Sequence, residues 1–145
     1  MFQHILIPTD GSELAENAIR RGVALAKEQG AKITALTVFK PFHMMTLEPG
    51  MLTDTPAVYG KHVAERTKKY LEVISEAAKL AGVTCDTISL EHEHPYQGII
   101  ETAQRRDCDL IVMASHGRGG VSGVVLGSQT VKVLTHSKVP VLVYR

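Results

Sequence analysis

The sequence predicts a doubly wound α/β domain, a five-stranded parallel sheet in the order 3-2-1-4-5 with helices on both faces. Three observations carry this. Strand-like and helix-like apolar periodicities alternate along the 145 residues, giving β-α-β-α-β-α-β-α-β. Residues 5–7 and 110–113 are near-continuous apolar runs, as in central parallel strands buried on both sides. Polar, glycine-bearing turns follow the first and fourth strands, whose ends are neighbours at the switch point in that order. Residues 1–145 read as one domain, with no repeat, linker or low-complexity tract.

Each element has its own signal. QHILIP at 3–8 is a short buried strand. Thr9-Asp10-Gly11-Ser12 is turn chemistry, and Ser12 is a good N-cap. From there to Gln29, Leu14, Ala18, Gly22, Leu25 and Ala26 form an apolar stripe flanked by Ala15, Ile19 and Val23. Gly30 is a C-terminal stop. KITALTVF at 32–39 is the second strand. Lys40 to Pro56, with prolines at 41, 49 and 56, is a long irregular connection of the kind that carries function. A helix over 57–81 turns Val63, Tyr70, Leu71, Ile74, Ala77 and Ala78 inward and ends at Gly82. VTCDTISL at 83–90 alternates as a strand, and Pro95 opens a helix to about Arg106 with Ile99, Ile100 and Ala103 inward. Cys108–Ala114 is the fourth strand, a helix follows Gly127-Ser128, and VPVLVY at 139–144 is the fifth strand.

Composition excludes several classes. A hydrophobic content of 44% suffices for one core, and a net charge of +1 creates no field favouring nucleic acid or an anionic membrane. No apolar run approaches the roughly 20 residues of a spanning helix. The N-terminus lacks the basic n-region and cleavage site of a signal peptide. Cys85 and Cys108 form no CxxC pair and read as reduced core residues. The expectation is a cytoplasmic protein.

Between Gly117 and Gly127 lie five glycines, at 117, 119, 120, 123 and 127. Such a segment costs conformational entropy on folding, so it needs a use. No acidic residue follows Asp109, whereas Arg118, Lys132, Lys138 and Arg145 do. Glycines let backbone N–H groups approach a ligand, and Gly127-Ser128-Gln129-Thr130 offers a helix N-terminus with free donors and the positive dipole end. A phosphate chain suits that cradle, and Asp10 across the crevice suits a ribose or an adenine amino group. The competing reading is a tight loop whose glycines serve helix packing. The segment is neither a Walker A loop, lacking GK[ST], nor the dinucleotide fingerprint, since G-x-G-x-x-G fails at Ser122.

ILIPTDGS, DLIVMASHGR, LGSQT and VPVLVYR together resemble the universal stress protein family, of the single-domain bacterial type, over essentially the whole chain. Its ATP-binding members carry G-x2-G-x9-G-[ST], and Gly117, Gly127 and Ser128 match the last three positions. The first is Ala114, whose methyl stands where backbone would pass the ribose or α-phosphate and is tolerated if its φ is negative. The resemblance implies a Rossmann-like, homodimeric, ATP-binding stress-response regulator, with AMP or ADP as alternatives and magnesium held through the phosphates. It implies adenine near Pro8, Thr9, Asp10, Val38 and Met113, and phosphates near Ala114, His116, Gly117, Gly127, Ser128, Gln129 and Thr130.

The dimer has a physical argument of its own. Pro140 places VPVLVY at an edge or strand start, and an apolar edge invites two-fold pairing unless a helix or loop covers it. A protein partner is expected but not specified by any motif.

Other chemistry is weakly signalled. No G-x-S-x-G elbow or local Cys/His signature supports a hydrolase. Ser115, His116 and Asp10 meeting in the crevice would support at most slow ATP hydrolysis. His92 and His94 could share a strand face, but two imidazoles are half a zinc site. Met44, Met45 and Met51 could form an apolar lid over an adenine, or pack on the sheet edge. The alternative function is a dimeric interaction protein that no longer binds nucleotide, with Ala114 as its first sign.

Overall fold

The computed structural model describes residues 1–42, 55–117 and 126–145. Met44, Met45 and Met51, together with Arg118, Gly119, Gly120, Ser122 and Gly123, lie outside the described residues.

Ser12 starts the first helix as the sequence predicts. Its hydroxyl oxygen accepts a hydrogen bond from Ala15 N at 3.2 Å, between β1 (His4–Pro8) and α1 (Glu13–Gln29). Gly30 ends α1 with a φ of 67°. The chain then forms β2 (Lys32–Phe39), α2 (Pro56–Ala81, capped by Thr55 and ended at Gly82) and β3 (Cys85–Glu91). α3 (Pro95–Arg105), β4 (Leu110–Ala114), α4 (Ser128–His136) and β5 (Val141–Tyr144) complete it.

The five strands form one sheet in the order β3-β2-β1-β4-β5, every pair parallel. Pleating divides the core. Ile5, Ile7, Ile33, Ala35, Leu110 and Val112 pack against Ile19, Val23, Leu71 and Ile74 of α1 and α2. Leu6, Leu36, Ile111 and Met113 pack against Ile99, Ala103 and Val133 of α3 and α4. The runs at 5–7 and 110–112 are at most 3% exposed, as expected for central strands.

Four expectations need correction. Leu14 is 38% exposed, because the buried face of α1 is centred on Ala15, Ala18, Ile19, Gly22, Val23 and Ala26, and Leu14 sits on its flank. Tyr70 and Ala77 of α2 and Ile100 of α3 are half-buried, while Thr67, unforeseen, is buried. Cys108 is buried, but Cys85 lies on the edge strand β3 and is only half-buried. The third, fourth and fifth strands each begin two residues later than predicted, since the preceding residues are spent on turns and connections.

β5 is an edge strand. It pairs with β4 through contacts such as Ser115 N–H to Tyr144 O, and Pro140 lies just before it. Among the described residues no helix is long and apolar enough to cross a membrane.

Candidate functional site

The reversal of winding between β1 and β4 brings two loops together at the carboxyl ends of these strands, the usual place for a ligand crevice. From β1 come Pro8, Thr9 and Asp10. Thr9 is 8% exposed; its N–H donates to Leu36 O, and its hydroxyl oxygen accepts from Gly11 N. Asp10 Oδ1 accepts from Ser12 N at 3.0 Å, which turns the chain into α1. Gly11 has a φ of 76°, and a Cβ there would run into the Tyr70 ring of α2. Only glycine fits both constraints. Nothing local announced Tyr70 as a neighbour of this turn; only its place on the inward stripe of α2 hinted at it.

From β4 come Met113, Ala114, Ser115, His116 and Gly117. A Cβ on Gly117 would overlap the Asp10 carboxylate, so the absence of a side chain lets the two loops close on each other. Ala114 is not among the described residues with positive φ, of which Asp107 is the single non-glycine. The condition for tolerating alanine at 114 is therefore met. Ser115 is 1% exposed, and its hydroxyl lies 3.0 Å from His116 Nδ1. His116 Nε2 is buried and, among the described residues, has no hydrogen-bond partner. The sequence marked His116 only as a phosphate or loop contact and did not show the Ser115–His116 hydrogen bond.

The third wall is the start of α4. Gly127 N–H donates to Ser115 O at 2.6 Å, holding the helix start against the end of β4. Gly127 occupies the N-cap position, and among the described residues no side chain caps the helix. By contrast α1 and α2 are capped by the hydroxyls of Ser12 and Thr55. The first N–H groups of α4 and its positive dipole end therefore lie at the crevice with no side-chain acceptor among the described residues. Ser128, at its first position, is exposed.

Of the residues expected near phosphates, Gln129 and Thr130 use their side chains elsewhere. Gln129 Oε1 accepts from Tyr96 N at 3.0 Å and so caps α3, which lacks a cap of its own at His94. Thr130 is 2% exposed, and its hydroxyl donates to Ala114 O at 3.0 Å. Both tie α4 to its neighbours, and only their backbone N–H groups belong to the open helix start. Val38 and Met113 lie on the α3/α4 face of the sheet, Met113 7% exposed and Val38 half-buried.

The histidines beyond β3 are engaged locally. His92 Nδ1 accepts from His94 N at 2.9 Å, and its Nε2 lies 3.6 Å from Glu101. Among the described residues no group of three or more His, Cys, Asp or Glu side chains could hold a metal. Burial pushes the Cys108 thiol up to about 11 and raises that of Cys85, which disfavours the reactive thiolate in both.

These features define a class: a doubly wound α/β protein whose switch-point crevice is lined by an uncapped helix start, a glycine-opened strand end and an aspartate. The model of the universal stress protein family matches residues 1–145. The chain belongs to that family. It is 32% identical over 149 residues to the universal stress protein YxiE of Bacillus subtilis, covering all of both chains. Its fold matches the solved structure of the protein MJ0577 with a TM-score of 0.82 at 29% identity, over 99% of this chain and 95% of that one. It also matches a universal stress protein in complex with cAMP (TM-score 0.71, 22% identity, 99% and 97% covered). A further match is the universal stress protein of Archaeoglobus fulgidus in complex with dAMP (0.62, 16%, 100% and 98%). At those identities the last two show the fold alone.

Proposed function

We propose that this protein is a homodimeric regulatory protein that binds an adenine nucleotide, ATP with magnesium foremost, at the switch-point crevice. The observation that carries this is the start of α4, left without a side-chain cap and held against the end of β4 by Gly127. A phosphate chain supplies the acceptors and the negative charge that such an end favours. The backbone N–H groups at Ser128, Gln129 and Thr130, with the Ser128 hydroxyl and His116, receive the phosphates. Pro8, Thr9, Asp10, Val38 and Met113 form the base and ribose side. Magnesium is held mostly by phosphate oxygens and water, with Ser128 as an additional hydroxyl. The cAMP and dAMP complexes of proteins with the same fold support an adenine nucleotide as the ligand class.

On this reading, occupancy of the site is the output and any ATP hydrolysis is slow. Dimerisation through β5 follows from its position at the edge of the sheet, with Leu142 36% exposed.

The test is direct. Protein purified without added nucleotide is denatured, and the released small molecules are resolved by anion-exchange chromatography. Stoichiometric adenine nucleotide, lost in Gly127→Glu, is the expected result. A protein that carries none and binds no added ATP favours the alternative, an interaction protein with a vacant cleft. Sedimentation of Leu142→Glu tests the dimer separately, and a monomer is expected.

A further inference from the structure

We infer that His116 presents Nε2–H as a fixed hydrogen-bond donor to a phosphate oxygen of the crevice ligand, and that Ser115 is the positioning residue that fixes this proton. The inference rests on the nucleotide reading above and assigns one atom of that site.

The argument is a count of protons. Ser115 is 1% exposed, so its hydroxyl proton needs a protein acceptor. Among the described residues the hydroxyl has one partner, His116 Nδ1 at 3.0 Å. In the neutral imidazole the hydroxyl donates to Nδ1, which must then be the unprotonated nitrogen, and the ring proton sits on Nε2. In the imidazolium Nε2 carries a proton as well. Nε2 is therefore a donor in both states.

That donor is buried and unpartnered. A buried polar group without a partner is costly, and such groups mark places where a ligand completes the hydrogen bonding. The other buried side-chain atom without a partner among the described residues is Thr102 Oγ1, in the middle of α3. A threonine hydroxyl can rotate toward a carbonyl of its own helix, whereas an imidazole nitrogen has no such recourse. His116 also adjoins Gly117, whose Cα packs on Asp10, and its Cα lies 3.3 Å from the place a Cβ on Gly127 would take. His116 itself therefore lies between the strand end and the open helix start. A protonated Nε2 neither ligates a metal nor acts as a general base, so the residue recognises an anion rather than activating water.

The experiment compares wild type, His116→Asn and His116→Gln for ATP and for adenosine, with long-range nitrogen–proton NMR of the His116 ring. The glutamine amide reaches the place of Nε2, and the asparagine amide stops near that of Nδ1. ATP binding about tenfold weaker in His116→Asn is expected, the scale of one hydrogen bond to a charged group. Adenosine binding should be unchanged, His116→Gln should be close to wild type, and the ring should show the Nε2–H tautomer, weakened in Ser115→Ala. Equal losses for adenosine and ATP, His116→Gln as weak as His116→Asn, or an Nδ1–H ring in wild type would overturn the assignment. Binding of neither adenosine nor ATP to wild type would remove the nucleotide reading. Titration with inorganic phosphate, followed at the His116 Nε2 signal, then decides the donor alone: a shift upholds it, and no shift overturns it.

Discussion

The two ends of the sheet differ in how far they satisfy their own polar groups. At the amino end, Asp109 accepts hydrogen bonds from the backbone N–H of Gln3 at 2.8 Å and His4 at 3.0 Å. His4, 5% exposed, places Nε2 2.7 Å from the hydroxyl of Thr34, itself fully buried. Arg106 pairs with Asp86 at 2.8 Å. At the carboxyl end, α4 starts without a side-chain cap and His116 Nε2 has no partner. Among the described residues, one end is closed by its own side chains, whereas the other leaves donors without an acceptor. A buried group left open is costly, and His116 Nε2 beside the uncapped start of α4 is what the proposed ligand would satisfy.

Substitutions can sharpen or break that contrast. The largest effect is expected from Ser128→Asp, which places a carboxylate at the first position of α4. It supplies the missing negative charge, raising the stability of the ligand-free protein by about 0.5 kcal/mol. It should also lower ATP affinity by about a hundredfold, near 2.7 kcal/mol, in calorimetric titration. Unchanged affinity would place the phosphates elsewhere.

Next comes Asp109→Ala at the closed end. Losing one acceptor for two backbone N–H groups, one of them exposed, should cost about 2 kcal/mol in urea unfolding. The ATP affinity of the folded protein should not change. Gln129→Ala should cost about 1 kcal/mol of stability, the usual scale of a lost cap. It should weaken ATP binding only modestly, because the side chain caps α3 rather than a phosphate.

The smallest effect is the pH dependence at His4. Burial, aided by Lys32, lowers its pKa from the ordinary value of 6.5. The unfolded state therefore binds the proton more readily, and this contribution to stability is lost as pH falls below 6.5 toward the lowered value. Unfolding midpoints measured through that window should fall with pH in wild type and less steeply in His4→Gln.

Strand order and the caps at Ser12, Gly30 and Gly82 were legible in the sequence because each rests on local chemistry or on the periodicity of one element. The Gly117–Asp10 approach was half legible: the glycine was visible, but what it approached depends on the packing of two loops more than a hundred residues apart. The side-chain partners of Gln129 and Thr130 were not legible, because these residues simply follow Gly127-Ser128 in the chain. On a helix, successive side chains point in different directions, and these two turn to Tyr96 and Ala114. The partners of Ser115 and His116 were invisible because a proton count needs the burial and geometry of the folded loop.

The central claim is that the open carboxyl end is a phosphate cradle. Calorimetric titration of the nucleotide-free wild-type protein with ATP and magnesium tests it most directly. Saturable binding at one site per chain is predicted, with urea stability rising by about 2.7 kcal/mol when ATP is at 100 times its dissociation constant. No binding heat, and no change in stability with ATP, would contradict it.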